Sequence, residues 1–346
     1  TPQAVVHSGL IGVFDKKLEE VKYKKIYKKD FIYDGKAQWS GFTDSYWLTT
    51  VIFNKETNLK NKVYRDDKVF KNEIYGETLT LENNKTEAIS YKLFAGAKVL
   101  KLLDSYRKDL QIPMFDRAVD FGWFYFLTKP FYLLLRVFYE FVNNFGVSII
   151  LLTLLVKGIM YPMTKKSFDS MARMKLIQPK ILELKEKYAE DKMRLNQELM
   201  ALYKKNNINP LSGCLPMLLQ IPVFFSLYKV FSVTIDMRQA SFLYLKDLSA
   251  QDPTTIWNLF GLFPYEVTVF HFGLLPCLMS LTMWIQQKMS DTTAGSDQNM
   301  AMMTKLMPFI FLILFASFPS GLLVYWTFSN ILSIGQQYLI NRKYKI

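Results

Sequence analysis

Hydrophobic and polar residues alternate in the first part of this 346-residue chain and are bunched in the rest. Residues 1–110 show a period-two alternation, interrupted by turn-like segments, that is typical of half-buried β-strands. Beyond about residue 120, the apolar residues form runs long enough to cross a bilayer. The pattern predicts an N-terminal β domain followed by a helical membrane core.

The first 120 residues are predicted to form an all-β, sandwich-like domain. We expect this domain to be incomplete at its N-terminus, because the sequence already has the pattern of a β domain at Thr1. Strands are predicted at 46–53, 74–82 and 88–98, turns at 33–36, 54–58 and 82–87, and a helix at 100–111. The charged residues of this domain are mixed in sign and form no catalytic constellation.

Aromatic residues dominate the next segment, "FGWFYFLTKPFYLLLRVFYEFV" (121–142). Together with Lys129, Arg136 and Glu140, they predict an amphipathic helix over 121–143 that lies along the membrane surface. The alternative is the first part of a spanning helix that bends at Pro130.

Five spanning helices are predicted within residues 144–340. The first three cover about 144–163, 211–235 and 267–286, and two more are packed into 306–340. "FPSG" (318–321) separates the last two, since proline and glycine permit a tight hairpin. Both of these helices are short for a bilayer, which indicates local thinning of the membrane.

The formal net charge is +13, and the distribution of Lys and Arg among the loops indicates how the chain is oriented in the membrane. Eleven Lys and Arg residues lie between Lys165 and Lys205, whereas loop 236–256 has two basic residues and three acids. The first loop and the basic tail 341–346 are therefore predicted to be cytoplasmic, and the β domain to lie on the other side. This distribution disfavours nucleic acid as the main partner, although ribosomal RNA stays open as a secondary one.

The basic loop has helical periodicity of its own. Apolar residues recur at helical spacing in two runs, Ile177, Ile181, Leu184, Tyr188 and Leu195, Leu199, Leu202, Tyr203. With a turn at "AEDK" (189–192), they predict a cytoplasmic helical hairpin over 164–209. The hairpin is either a docking arm or a solvated spacer.

Lys157 lies inside the apolar run "LLTLLVKGIMYPMT" (151–164). A lysine near the centre of a spanning helix costs roughly 2.5–3.5 kcal/mol, so its presence indicates a function. The alternative is snorkelling, because Lys165 lies only about 12 Å further along the helix. The predicted spans contain no Asp or Glu, so water or an incoming group must meet this charge.

Four further polar residues in the spans are candidates for the same site. Thr153, Gln220, Ser329 and Ser333 would line a wet, positive groove with Lys157, or each forms only a helix–helix hydrogen bond. A groove without carboxylates is poorly suited to proton or cation transport, and nucleophile–base pairs are missing. Such a groove suits the transient attraction of a polar or acidic peptide on its way across the membrane, and we expect no enzymatic activity.

Metal and disulfide chemistry are not indicated. Cys214 and Cys277 form no pairing motif, and the two histidines, His7 and His271, are far apart without ligand-like spacing. We expect no metal, no cofactor and no small-molecule substrate. No nucleotide-binding motif of the GxxxxGK[ST] type is present either.

Four segments carry a family resemblance. They are "GIMYPMTKKSFDSMARMKLIQPKI" (158–181), "NPLSGCLPMLLQIPVFFSLYKV" (209–230), "MRQASFLYLKDLSAQDP" (237–253) and "FPSGLLVYWTFSN" (318–330). In this order, over about 121–340, they resemble the YidC/Oxa/Alb family of membrane insertases. The β domain before "DFGWFYFLTKP" (120–130) is similar to the periplasmic domain of the Gram-negative members.

The resemblance implies a supersandwich periplasmic domain, five core helices and a groove open to cytoplasm and lipid. It implies a multi-pass inner-membrane protein with a cytoplasmic C-terminus that inserts nascent membrane proteins without nucleotide hydrolysis. Ribosome and Sec translocon are implied partners, DNA is not. The family's basic groove residue is usually arginine, and Lys157 stands at the matching position. Phe224, Tyr325 and Trp326 match the positions where substrate helices pass.

Two other functions stay open at this point. The same positive groove would serve a transporter or channel for an anionic solute. The supersandwich also resembles carbohydrate-processing folds, so sugar binding by the β domain is a third hypothesis that rests on fold analogy alone.

Overall fold

The computed structural model describes residues 6–76, 78–80, 83, 86, 88–209, 212, 215–261, 263, 272–290 and 298–344. Within these ranges, the side chains of 54–57, 261, 298–301 and 303 are not described. The chain divides into two compact units. The first comprises Thr1–Trp123 with Ser232–Asp236, and the second Phe124–Phe231 with Met237–Ile346.

The first unit contains one antiparallel sheet. Its strands are β1 (Gly9–Phe14), β2 (Lys17–Lys22), β3 (Phe31–Thr43), β4 (Trp47–Asp66), β5 (Val69–Tyr75) and β6 (Tyr91–Ala97). The order is β2-β1-β3-β4-β5, and β6 pairs with the first half of β4 while β5 pairs with its second half. Two helices accompany the sheet, α1 (Tyr23–Ile26) and α2 (Leu100–Asp109).

A buried tryptophan is central to this unit. Trp39 is fully buried in β3, its ring packs edge-on against Phe115 at 5.4 Å, and its indole N–H donates to the Pro113 carbonyl at 2.9 Å. A register shift between Ala37 and Trp39 marks a bulge, which changes the direction of the long strand. Burial of this indole therefore holds the segment after α2 against the sheet.

Several sequence predictions for this unit are wrong. The turns predicted at 33–36 and 54–58 lie inside β3 and β4, whose backbone pairing continues from Phe31↔Val63 to Ala37↔Thr57. Long-range pairing has overridden the local turn preference. The described strands form one sheet, and the sandwich arrangement stays a prediction; β5 (Val69–Tyr75) shares only its last two residues with the strand predicted at 74–82.

Other predictions for this unit are confirmed or cannot be compared. The last strand is found as β6 and the following helix as α2. Most of the turn predicted at 82–87 lies outside the described residues.

The second unit is helical. Its helices are α3 (Tyr125–Val142), α4 (Phe145–Leu176), α5 (Gln178–Lys187), α6 (Lys192–Lys205), α7 (Leu215–Val233), α8 (Leu274–Ser290), α9 (Gln298–Phe315) and α10 (Ser320–Lys343). α10 packs against both α4 and α8, α3 packs on α4, and α9 packs on α8. α10 is thus a central element of the unit.

Helix boundaries differ from the predicted spans. α4 begins after Asn144, whose side chain accepts a hydrogen bond from the Val147 amide at 3.0 Å, and continues to Leu176 instead of ending near 163. α8 begins at Leu274 and α9 at Gln298, whereas residues 264–271 lie outside the described part of the chain. By length and composition, α4 and α7 are the two described helices that could each cross a membrane. The number of five spans stays a prediction.

α5 and α6 pack together through an apolar cluster. Ile177, Ile181 and Ile208 are buried in it, with Leu199 and Tyr203 among the partly buried residues around them. Asp191 begins α6 by accepting a hydrogen bond from the Arg194 amide at 2.9 Å. The two apolar runs of the predicted hairpin are found in α5 with its two cap residues and in α6, whereas residues 164–176 of the predicted range 164–209 belong to α4. The cytoplasmic position of the hairpin stays a prediction.

α3 has apolar residues on two sides. Phe131, Tyr132 and Leu135 are buried, and Tyr139 stacks on Phe145 at the beginning of α4 with a ring separation of 4.0 Å. The other side exposes Phe126, Leu133, Val137 and Phe141, which recur at helical spacing. An exposed apolar side fits the predicted position of α3 along a membrane surface.

Asp252 attaches the loop after α7 to the beginning of α8. Its buried carboxylate accepts hydrogen bonds from the Leu275 amide at 2.8 Å, the Tyr244 hydroxyl at 2.9 Å and the Thr254 amide at 2.9 Å. Gly273 leaves the necessary room, since a Cβ there would lie 2.5 Å from the carboxyl carbon. Burial, reinforced by the Asp252 carboxylate, raises the pKa of Tyr244, so this phenol keeps its proton and donates.

We expect Asp252→Ala to lower the free energy of unfolding by about 2–4 kcal/mol, because the buried Leu275 amide and the partly buried Tyr244 hydroxyl and Thr254 amide lose their acceptor. The measurement is thermal unfolding of the purified protein in detergent. Asp247→Ala is the matched control, since that carboxylate accepts local hydrogen bonds from Ser249, and its loss should stay below about 1 kcal/mol. Equal losses for both variants would contradict the structural role of Asp252.

Candidate functional site

A cavity of about 540 Å³ lies among α4, α7, α8, α9 and α10. One part of its lining is polar and the other consists of aromatic and methionine side chains. The polar residues are Lys157, Gln220, Gln286, Gln287, Ser290, Thr304, Ser329, Asn330 and Ser333. The main apolar residues are Phe168, Met171, Met217, Phe224, Phe225, Met283, Met307, Phe311, Phe315 and Trp326. We call this cavity the groove.

Lys157 is the one charged side chain among the described residues that line the groove. Its ammonium donates a hydrogen bond to the Ser333 hydroxyl at 2.8 Å, and that hydroxyl donates to the Ser329 carbonyl at 2.9 Å. An ammonium has three donors, and Ser333 accepts one of them. The remaining donors can serve water or a ligand in the groove.

A second hydrogen bond connects α7 with α10. The Gln220 side-chain amide donates to the Tyr325 hydroxyl at 2.9 Å, and Ser329 lies beside the same hydroxyl. Tyr325 is fully buried, so its phenol has no contact with solvent. Polar side chains thus connect α7, α10 and α4 along one wall of the groove.

Four of the five predicted groove residues lie together in this wall, namely Lys157, Gln220, Ser329 and Ser333. Thr153 does not line the groove in this structure. It is fully buried, and its hydroxyl donates to the Ile149 carbonyl one turn earlier at 2.7 Å. Threonine in a helix commonly bonds its own backbone in this way, and the Thr153 side chain is accordingly packed inside the protein instead of facing the groove.

Two of the three predicted substrate-contact residues line the groove. Phe224 and Trp326 meet edge to face with ring centroids 5.1 Å apart, and Phe311 and Phe315 lie at 6.0 and 5.1 Å from the same indole. Tyr325 is completely buried and supports Gln220 instead. A helix passing through the groove as described here would not touch it.

The sequence prediction missed the polar residues contributed by α8 and α9. Gln287 donates its side-chain amide to the Thr304 carbonyl, which connects the two helices. Ser290, one turn after Gln286, accepts a hydrogen bond from the Gln337 amide at 3.0 Å. The side-chain amides of Gln286 and Gln287, next to an apolar run, could have indicated these residues from the sequence. They were missed because the predicted third span ended at residue 286.

The groove has the chemistry of a binding site. Among the described residues, no group of three or more His, Cys, Asp or Glu could hold a metal ion. Cys214 and His271 lie outside the described residues. One cation, several amides and hydroxyls, and an aromatic wall suit an amphipathic occupant that is polar or acidic at one end.

Fold and groove together define a helical membrane protein with an N-terminal β domain. A family model described as 60Kd inner membrane protein matches residues 137–346, and one described as YidC periplasmic domain matches residues 1–134. The chain belongs to this family, the YidC-type inner-membrane proteins. The earlier resemblance is thereby confirmed.

Similar proteins agree with this assignment. Proteins named membrane protein insertase YidC from Rickettsia bellii and Rickettsia rickettsii are 47% and 48% identical over 98% of this chain. The chain spans 62% and 61% of their lengths. A crystal structure described as active YidC insertase with its first transmembrane domain resolved shares the fold, with TM-score 0.52 and 18% identity. That alignment covers 96% of this chain and 83% of the other.

Accessibility to a polar maleimide tests the wall of the groove. In a variant with Cys214 and Cys277 replaced by serine, we expect Lys157→Cys and Gln220→Cys to react readily. Thr153→Cys and Tyr325→Cys should react at least about tenfold more slowly, because these positions are buried. Equal rates at all four positions, measured by mass shift in proteoliposomes, would contradict the geometry described.

Proposed function

We propose that this protein is a membrane protein insertase and chaperone that works without an enzymatic reaction. The observation that carries the proposal is the placement of Lys157 in a groove whose other described lining residues are neutral. The names of the similar proteins support the same function. Nascent membrane proteins are its proposed substrates, and the lipid bilayer receives them.

The polar wall receives the hydrophilic end of a substrate. Moving an unpaired polar amide from water into hydrocarbon costs roughly 2–7 kcal/mol. Lys157, Gln220, Ser329 and Ser333 offer hydrogen-bonding groups along the path, which lowers this cost for the segment that crosses. The charge of Lys157 adds attraction for an acidic end and repels none of the groove's own residues.

The aromatic wall receives the apolar helix of the substrate. Phe224 on α7 and Trp326 on α10 face the groove and touch each other, so an apolar helix slides along these two rings towards lipid. Burial of apolar surface contributes about 25 cal/mol per Å², which is enough to drive the transfer of a spanning helix without nucleotide. Exit sideways into the bilayer completes insertion.

Topology and partners follow from charge. The Lys- and Arg-rich segment 164–209 and the tail 341–346 lie in the cytoplasm, and the β domain lies in the periplasm. The paired helices α5 and α6, with their exposed basic residues, form a docking arm for the ribosome. The Sec translocon is a further proposed partner in the inner membrane.

Crosslinking of ribosome-bound nascent chains tests the path. A photoreactive residue in place of Phe224 or Trp326 should crosslink to short apolar substrates, whereas one in place of Tyr325 should give little product. Leu182, exposed on α5, is the control for nonspecific capture. Absence of crosslinks at 224 and 326, together with binding of a small anion, would favour an anion transporter instead.

Charge substitution tests the role of Lys157. Lys157→Arg should retain insertion, and Lys157→Ala should reduce it roughly tenfold for substrates with acidic translocated ends, equivalent to about 1.4 kcal/mol. The readout is protease protection of the inserted substrate in proteoliposomes. Lys166→Ala, which removes an exposed charge from the same helix, is the control. If Lys157→Ala inserts acidic and neutral substrates as well as the parent protein does, then Lys157 only snorkels.

A further inference from the structure

Four helices each place one methionine in the groove. Met171 comes from α4, Met217 from α7, Met283 from α8 and Met307 from α9. The chain has 16 methionines in 346 residues, so composition alone would place about one among the 21 lining residues. Methionine is therefore concentrated in this cavity.

Branched aliphatic side chains are nearly excluded from the same surface. Among the described lining residues, Ile221 is the one branched aliphatic side chain, and leucine does not occur. Leucine is nevertheless common in the helices that form the groove, and those of α9 at 306 and 314 are exposed. The described leucines of these helices thus lie off the groove surface, whereas four of the helices each place one methionine on it.

The two residue types differ in what they can accommodate. Methionine is unbranched, rotates about three side-chain bonds and has a polarizable sulfur, so it fills irregular gaps. Leucine is branched and has few well-defined rotamers. Met217 is half exposed, and Met283 and Met307 are partly buried, which leaves these three room to change rotamer. Met171 is largely buried and packs in one cluster with Phe168, so it is the least mobile of the four methionines.

We propose that these four methionines make the apolar wall adaptable and so determine how broad a range of apolar helices the groove accepts. This inference rests on the proposed insertase function. Substrate helices differ in shape, and a wall that repacks side chain by side chain fits each of them without moving a helix of the protein. The polar wall, by contrast, is fixed by its hydrogen bonds.

The test compares four Met→Leu substitutions in the groove (positions 171, 217, 283 and 307) with four outside it. Met193, Met200, Met237 and Met279 do not line the cavity and provide the matched control. The substrates share one charged end and carry leucine-rich, valine-rich, alanine/glycine-rich or tryptophan-rich apolar segments. Insertion by the full chain in proteoliposomes and crosslinking at position 326 are measured for each substrate.

In the groove variant, the ratio of insertion efficiency between the best and the worst substrate should increase about threefold to tenfold. The Met→Leu substitutions conserve side-chain volume but remove side-chain flexibility. Global replacement of methionine by norleucine, which is unbranched, should keep the original ratio. If insertion efficiency falls equally for all substrates, or if the ratio equals that of the control variant, the inference about methionine is wrong while the proposed insertase function stands. If the parent protein neither inserts nor crosslinks these substrates, the proposed function itself fails and the inference fails with it.

Discussion

The hydrogen bond between Lys157 and Ser333 is the interaction on which the groove depends. It joins α4 to α10 across the bundle, and the Ser329 carbonyl in turn orients the serine hydroxyl. A hydroxyl can hold an ammonium in place without neutralising it, whereas a carboxylate would cancel the charge. Because the described lining contains no Asp or Glu, the groove keeps its positive potential. Ser333 therefore holds the Lys157 ammonium through a neutral acceptor, which does not cancel its charge.

The division of the groove into two walls follows from helix geometry. Tyr325 and Trp326 are neighbours in α10, and successive residues of a helix point about 100° apart. Tyr325 consequently turns into the packed interior to support Gln220, while Trp326 turns into the groove to meet Phe224. One helix thus builds the polar wall and the aromatic wall from adjacent positions.

Polar residues in apolar runs predicted four side chains that line the described groove, and the predictions differ from the structure where side-chain direction matters. Lys157 and Gln220 were found because each is conspicuous in a predicted span. Thr153 was predicted for the same wall, but its hydroxyl bonds its own backbone, which the sequence pattern does not reveal. In the β domain, the turn preferences at 33–36 and 54–58 were real but weak, and pairing between β3 and β4 outweighed them. Local signals fail where tertiary contacts compete with them.

The two walls also satisfy opposite physical requirements. Hydrogen bonds depend on distance and angle, so a wall that solvates polar groups must hold its donors and acceptors in fixed positions. Apolar association is non-directional, so a wall of aromatic rings and methionines can tolerate many partner shapes. Under the proposed insertase function, the rigid arrangement around Lys157 would recognise charge at one end of a substrate, and the adaptable wall would receive the helix behind it. A protein that handles many different membrane segments needs this combination, because its substrates have in common their polarity pattern and not their shape.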